Sequence, residues 1–150
     1  MSLLQAAGIS VELPPGWDGG IAEPTELEDG AVRQSVTHLA SFPLPEQRGD
    51  YGGGAVQRMG WTDILIVLLE FDPASTAQPL FRRHGMPRSL RPSDFGRDTL
   101  QRRIEGHGGC QIFFQESGRA FCLYVVVGSY VDRADLIPTI NQVLGRVRIS

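Results

Sequence analysis

The run Ile64-Leu65-Ile66-Val67-Leu68-Leu69 constrains this chain more than any other feature. It is short, rich in β-branched residues and bracketed by Gly60 and Pro73, which suits a central strand better than a helix. An unbroken apolar strand is covered on both faces, so the sheet that holds it needs something packed against each side. The 150 residues are one domain's worth, enough to bury such a sheet without disulfide or metal staples.

Weaker signals surround this run. Ile9, Val11 and Leu13 alternate with Ser10 and Glu12, predicting a half-buried strand that Pro14-Pro15-Gly16 stops. A second strand is expected near Asp18 to Ala22. Ala31 to Leu44 reads as one long strand whose inward face carries Val32, Gln34, Val36, His38, Ala40, Phe42 and Leu44. After Gly52-Gly53-Gly54, a helical turn or two is expected over Ala55 to Met59, ended by Gly60. Thr99 to Glu105, Cys110 to Glu116 and Arg119 to Gly128 predict an antiparallel meander, with Ser117-Gly118 as the tight turn of the last hairpin.

That turn fixes a register. It sets Cys122 opposite Phe113 and Cys110 opposite Val125. The two cysteines then stand three rungs apart, about 10 Å, on opposite faces, and cannot form a disulfide with each other. Leu136, Ile137, Ile140, Val143 and Leu144 form one apolar helical stripe. Pro138 favours a helix start near Asp135 over one at Asp132, because an early proline has no intrahelical partner to lose. The predicted fold is a single α+β domain spanning residues 1–150. It has a mainly antiparallel sheet of about six to seven strands, the C-terminal helix on one face, and short helical turns and a long loop on the other. The 18 glycines and 10 prolines agree with many turns and short elements.

Charge narrows the function. All 14 basic residues are arginine, so Schiff-base chemistry and a phosphate-loop lysine are excluded. The net charge of -3 argues against nucleic acid and anionic lipid, which need a dense cationic face. The total hides an asymmetry. Residues 1–50 carry eight acids against Arg33 and Arg48, whereas residues 82–103 carry seven arginines against Asp94 and Asp98. The opening MSLLQAAGIS lacks the basic and apolar regions of a secretory signal, and the longest apolar runs fall well short of the roughly 20 residues that span a bilayer. A cytoplasmic protein without membrane association is expected.

No G-x-S-x-G, H-E-x-x-H, C-x-x-C, G-x-G-x-x-G or phosphate-loop signature is present, and no cofactor is expected. His38 reads first as a core histidine bonded to a neighbour such as Gln34, and second as a desolvated base. His107 and Cys110 have H-x-x-C spacing and, with His84, half a zinc site; Gly106-His107-Gly108-Gly109 reads more simply as a flexible connection. Cys122 reads as a small buried hydrophobe. The stretch Arg48 to Ala55 puts glycines before a possible helix, where an anion could sit, although a plain loop suffices. Its Arg48-Gly49-Asp50 tripeptide carries no weight as an adhesion signal.

The strongest candidate is the segment from Asp72 to Asp98 and beyond, which sustains no hydrophobic period and contains four prolines. Arg82, Arg83, Arg88, Arg91 and Arg97, interleaved with Phe81 and Phe95, are the expected binding residues. Guanidinium forks suit carboxylate and phosphate, and arginine with aromatic residues is a favoured interface composition. The expected partner is an acidic protein or a small anion. The simpler alternative is internal pairing with Glu23, Glu26, Glu28 and Asp29. The predicted function is therefore a non-catalytic binding or assembly module. A small hydrolase with His38 or His107 as base, and a structural subunit of a homo-oligomer, are the other readings.

Gly8-Ile9-Ser10-Val11-Glu12-Leu13-Pro14-Pro15-Gly16-Trp17 resembles the opening of PsbP-like domains, in which a short strand ends in a proline-glycine-tryptophan turn before an antiparallel sheet flanked by helices. The apolar strand at 64–69 and the closing helix at 136–144 match more loosely. The resemblance implies an α/β sandwich used largely for binding or assembly. The arginine-rich insertion departs from it, so no functional residue carries over.

Overall fold

The computed structural model describes residues 1–46 and 49–150. The aliphatic run forms β7 (Ile64–Phe71), the middle strand of a five-stranded antiparallel sheet. β3 (Asp18–Ala22) and β6 (Val36–Ala40) lie on one side of it, β9 (Arg119–Val127) and β8 (Gly108–Glu116) on the other, in the order β3-β6-β7-β9-β8. β1 (Ser2–Ala6), β2 (Ile9–Leu13) and β10 (Arg148–Ile149) make a second sheet, and β4 (Thr25–Glu26) with β5 (Val32–Arg33) makes a two-stranded ribbon. The single α-helix among the described residues, α1 (Arg133–Leu144), precedes β10.

Both faces of the central strand are covered, as its composition requires. On one face Leu39, Ile66, Leu68, Leu123 and Val125 meet Ile9, Val11 and Leu13 of β2 and Ile140, Val143 and Leu144 of α1. On the other, Leu65, Val67, Tyr124 and Val126 are covered by Phe42, Ala55 and Val56, with Tyr51, Met59, Leu100 and Ile104 at the margin. Ala55 and Val56 belong to the turn after the triple glycine, a short 3₁₀ segment at Val56–Arg58.

Several expectations need correction. The mainly antiparallel α+β architecture holds, but among the described residues ten strands divide among three sheets instead of six or seven in one. β2 is apolar on one side only, so it lays Ile9, Val11 and Leu13 against the main sheet instead of extending it. The long strand over Ala31 to Leu44 is two strands, β5 and β6, and both faces of β6 are buried, with Leu39 in one core and Val36 and Ala40 in the other. Thr99 to Glu105 adds no strand. Its Leu100 and Ile104 pack over the second core, and the Gln101 N–H donates to the Tyr124 hydroxyl at 2.7 Å, so the segment crosses the sheet face.

Helix α1 starts after Asp132, three residues before the expected cap, with Pro138 inside it. Tertiary contacts hold the first turn: Arg133 Nε donates to Pro92 O at 2.9 Å, and its guanidinium lies 3.9 Å from the Tyr130 ring centre. The hairpin register is as expected, Phe113 opposite Cys122 and Cys110 opposite Val125. Ser117 and Gly118 both have positive φ, 56° and 74°, the backbone of a type I′ turn. Cys110 and Cys122 are free thiols buried in opposite cores. Among the described residues, no helix is long and apolar enough to cross a membrane.

Candidate functional site

The arginine-rich segment is an ordered cover for the open edge of β8. His84 bridges Gln115, Gly85 N donates to Gln115 O at 2.8 Å, and Gln115 N donates to Arg83 O at 2.8 Å. The Gln115 side chain also donates to Phe81 O (2.7 Å) and Thr76 O (3.0 Å). Further on, Gly96 and Gly109 exchange bonds of 2.9 Å, and Asn141 of α1 bonds both backbone groups of Leu90, accepting at 2.8 Å and donating at 3.1 Å. An exposed sheet edge invites wrong pairing, and this segment closes it. It was expected on the face away from α1, but Met86, Leu90 and Phe95 enter the same core as the helix.

The segment's residues divide by environment. Phe81 and Phe95 are only 2% and 5% exposed, so they anchor the segment and are withdrawn from any binding surface. Arg88 is also committed inward: its Nη1 donates to Leu144 O at 2.9 Å and Val147 O at 2.6 Å, satisfying carbonyls at and beyond the end of α1. Arg97 stacks on the Tyr130 ring at 4.6 Å. Arg82, Arg83 and Arg91 are exposed, and none has an ion-pair partner among the described residues. Among the described residues the internal pairing with Glu23, Glu26, Glu28 and Asp29 is not made; those acids are exposed, and the ion pairs join Arg33 to Asp50, Arg103 to Asp98 and Arg119 to Glu70.

His38 is buried, with Nε2 3.2 Å from Gly49 O and 3.0 Å from Asp50 O. Carbonyls only accept, so Nε2 carries the proton. These backbone groups, not Gln34, are the bonds seen at Nε2. The glycine stretch offers little to an anion, because the Ala55 and Val56 N–H groups both bond Gly52 O, at 2.8 and 3.0 Å. Arg48 of the Arg48-Gly49-Asp50 tripeptide lies outside the described residues.

His107 proved more informative than its H-x-x-C spacing. Cys110 points into the core, where burial chiefly pushes its thiol up to about 12, and among the described residues no three His, Cys, Asp or Glu side chains gather to hold a metal. His107 instead lines a cleft of about 700 Å³ with Met59, Trp61, Ile104, Ser129, Val131 and Asp132. His107 is 7% exposed, its Nδ1 has no hydrogen-bond partner among the described residues, and burial lowers its pKa. Trp61 and Val131, at 78% and 75% exposure, stand at the same opening. Glycines bring the surrounding loops together: a Cβ on Gly128 would lie 1.8 Å from Gly60 O, and one on Gly109 would lie 2.1 Å from Thr99 O. A second hollow of about 430 Å³, lined by Arg97 and Arg103, lies against the same 104–107 segment.

Sequence reasoning missed this cleft because three separate loops build it. The only local signals are the glycines flanking His107 and an isolated tryptophan after Gly60. No known family model matches the chain, and no curated protein or solved structure is significantly similar to it.

Proposed function

We propose that this protein is a non-catalytic binding module that engages an acidic protein partner through Arg82, Arg83 and Arg91. The observation that carries this reading is that these three guanidinium groups are exposed without a carboxylate partner among the described residues, while acids elsewhere in the chain are left over. The backbone beneath Arg82 and Arg83 is pinned to β8, so presenting them costs less ordering entropy on binding than a mobile loop would. Open exposure favours a broad partner over a small anion held in a pocket. The likeness of Gly8 to Trp17 to PsbP-like domains, a family used largely for binding and assembly, agrees with it.

The test uses a labelled oligoglutamate peptide, followed by fluorescence anisotropy at low and high salt, with inorganic phosphate as a competitor. Binding that weakens with salt and falls about tenfold or more in the R82A/R83A/R91A variant supports the proposal. Equal binding by wild type and triple variant would end it. Full displacement by millimolar phosphate would transfer the site to a small anion.

A second copy of the chain is the other partner that an observation favours. The β4–β5 ribbon and its approach carry Glu23, Glu26, Glu28 and Asp29 with the exposed apolar side chains Leu27 and Val32. Salt-sensitive self-association in light scattering, abolished by neutralising either charged surface, would identify the acidic partner as another copy.

A further inference from the structure

We infer that the cleft beside His107 is a binding site for a small organic cation with an apolar body, such as an arylalkylammonium. This goes beyond the proposed function and uses none of the residues of the arginine surface.

The cleft has the size of small-molecule sites and an apolar wall of Met59, Ile104 and Val131. Among the described residues its charged lining is Glu105 and Asp132, both anionic, while Arg97 and Arg103 line the neighbouring hollow that shares Glu105. Neither carboxylate has an ion-pair partner among the described residues. Arg133, next to Asp132 in the chain, turns away to Pro92 O and Tyr130 O, at 2.9 Å each, and to the Tyr130 ring. Ser129 Oγ donates to Asp132 Oδ2 at 3.1 Å and accepts from Asp132 N at 3.2 Å, which holds that carboxylate in place before any ligand arrives.

Two aromatic groups complete the match. Trp61 is mostly exposed at the opening, and an indole face attracts an ammonium group more strongly than other rings do. His107 adds a largely buried imidazole to the wall, and its Nδ1 has no hydrogen-bond partner among the described residues. With its pKa lowered by burial, the ring is neutral at pH 7 and does not repel a cation.

The test is a titration with phenethylammonium, read by Trp61 emission and by NMR shifts of His107 and Ser129, against phenylacetate, which carries a similar body with the opposite charge. Saturable shifts confined to the cleft, about tenfold weaker for phenylacetate and about tenfold weaker for the amine in W61A and in E105Q/D132N, support the site. Trp61 is on the surface, so W61A is expected to fold. R82A/R83A/R91A should bind the amine like wild type, which separates this site from the acidic-partner surface. Equal binding of phenylacetate, shifts that do not saturate by about 10 mM, or undiminished binding by both cleft variants would overturn the inference.

Discussion

Arg119 grips Glu70 at two points, Nε 2.9 Å from Oε2 and Nη2 2.8 Å from Oε1, across the pairing of β9 with β7. Ser35 Oγ donates to the same carboxylate at 2.6 Å, and the guanidinium reaches on to Ala7 O (2.8 Å) and Ser150 O (3.0 Å). One side chain thus ties the main sheet to the turn and closing residues of the small one. Burial alone would raise the Glu70 pKa, but the hydrogen bonds from Arg119 and Ser35 and the charge of Arg119 hold it below the ordinary glutamate value.

Truncating Arg119 leaves that carboxylate buried and unpaired. R119A is expected to lose about 3–5 kcal/mol in chemical denaturation, and replacing both partners by leucine to lose less than R119A does. The pH dependence follows from the depressed value: the stabilisation is complete above the unfolded-state pKa of about 4.3 and is lost as pH falls through the lower folded-state value. A wild-type midpoint that stays flat through this acid range, with E70Q no different from wild type, would contradict it.

Both cysteines should be chemically silent in the native protein. Burial chiefly pushes Cys110 up to about 12 and Cys122 up to about 11, so neither supplies thiolate at neutral pH. Aromatic-disulfide reagents should label neither thiol until the protein unfolds, then both, at a rate that follows denaturant concentration. Rapid labelling of one thiol in the folded state would show that its core opens locally.

The arginines of the 82–103 segment should separate into two classes. R88A removes two hydrogen bonds at the end of α1 and is expected to cost about 2–3 kcal/mol by thermal or urea unfolding. R82A, R83A and R91A should each stay within about 0.5 kcal/mol of wild type. A binding defect in R88A would therefore report on folding, and one in the other three on the surface.

Gly128 tests how the cleft is assembled. A methyl group there would meet Gly60 O at 1.8 Å, so G128A must push the 60–61 turn off the sheet. The expected cost is about 3 kcal/mol, with a shifted Trp61 emission maximum as the local reporter. Unchanged stability and emission would mean that the loop yields freely.

The β7 run, the β8–β9 register and the separation of the cysteines were legible in the sequence because each depends on near neighbours. Alternation decides which face a side chain takes, and a two-residue turn decides which residues meet. The boundary of α1 was less legible. Pro138 argues locally for a later start, and the contacts of Arg133 with Pro92 and Tyr130 outweigh it.

The candidate sites were legible only as composition. By itself the sequence determined a mainly antiparallel domain, a doubly covered central strand, chemistry without lysine and an island of arginine. The tertiary structure decided which arginines face out, because Arg88 is spent on carbonyls 56 and 59 residues away whereas Arg82 and Arg83 meet no carboxylate partner among the described residues. It also decided that Trp61, His107 and Asp132 share a cleft. Periodicity and turn chemistry act between neighbouring residues, whereas a side chain's solvation and partners are set by whatever the folded chain brings beside it.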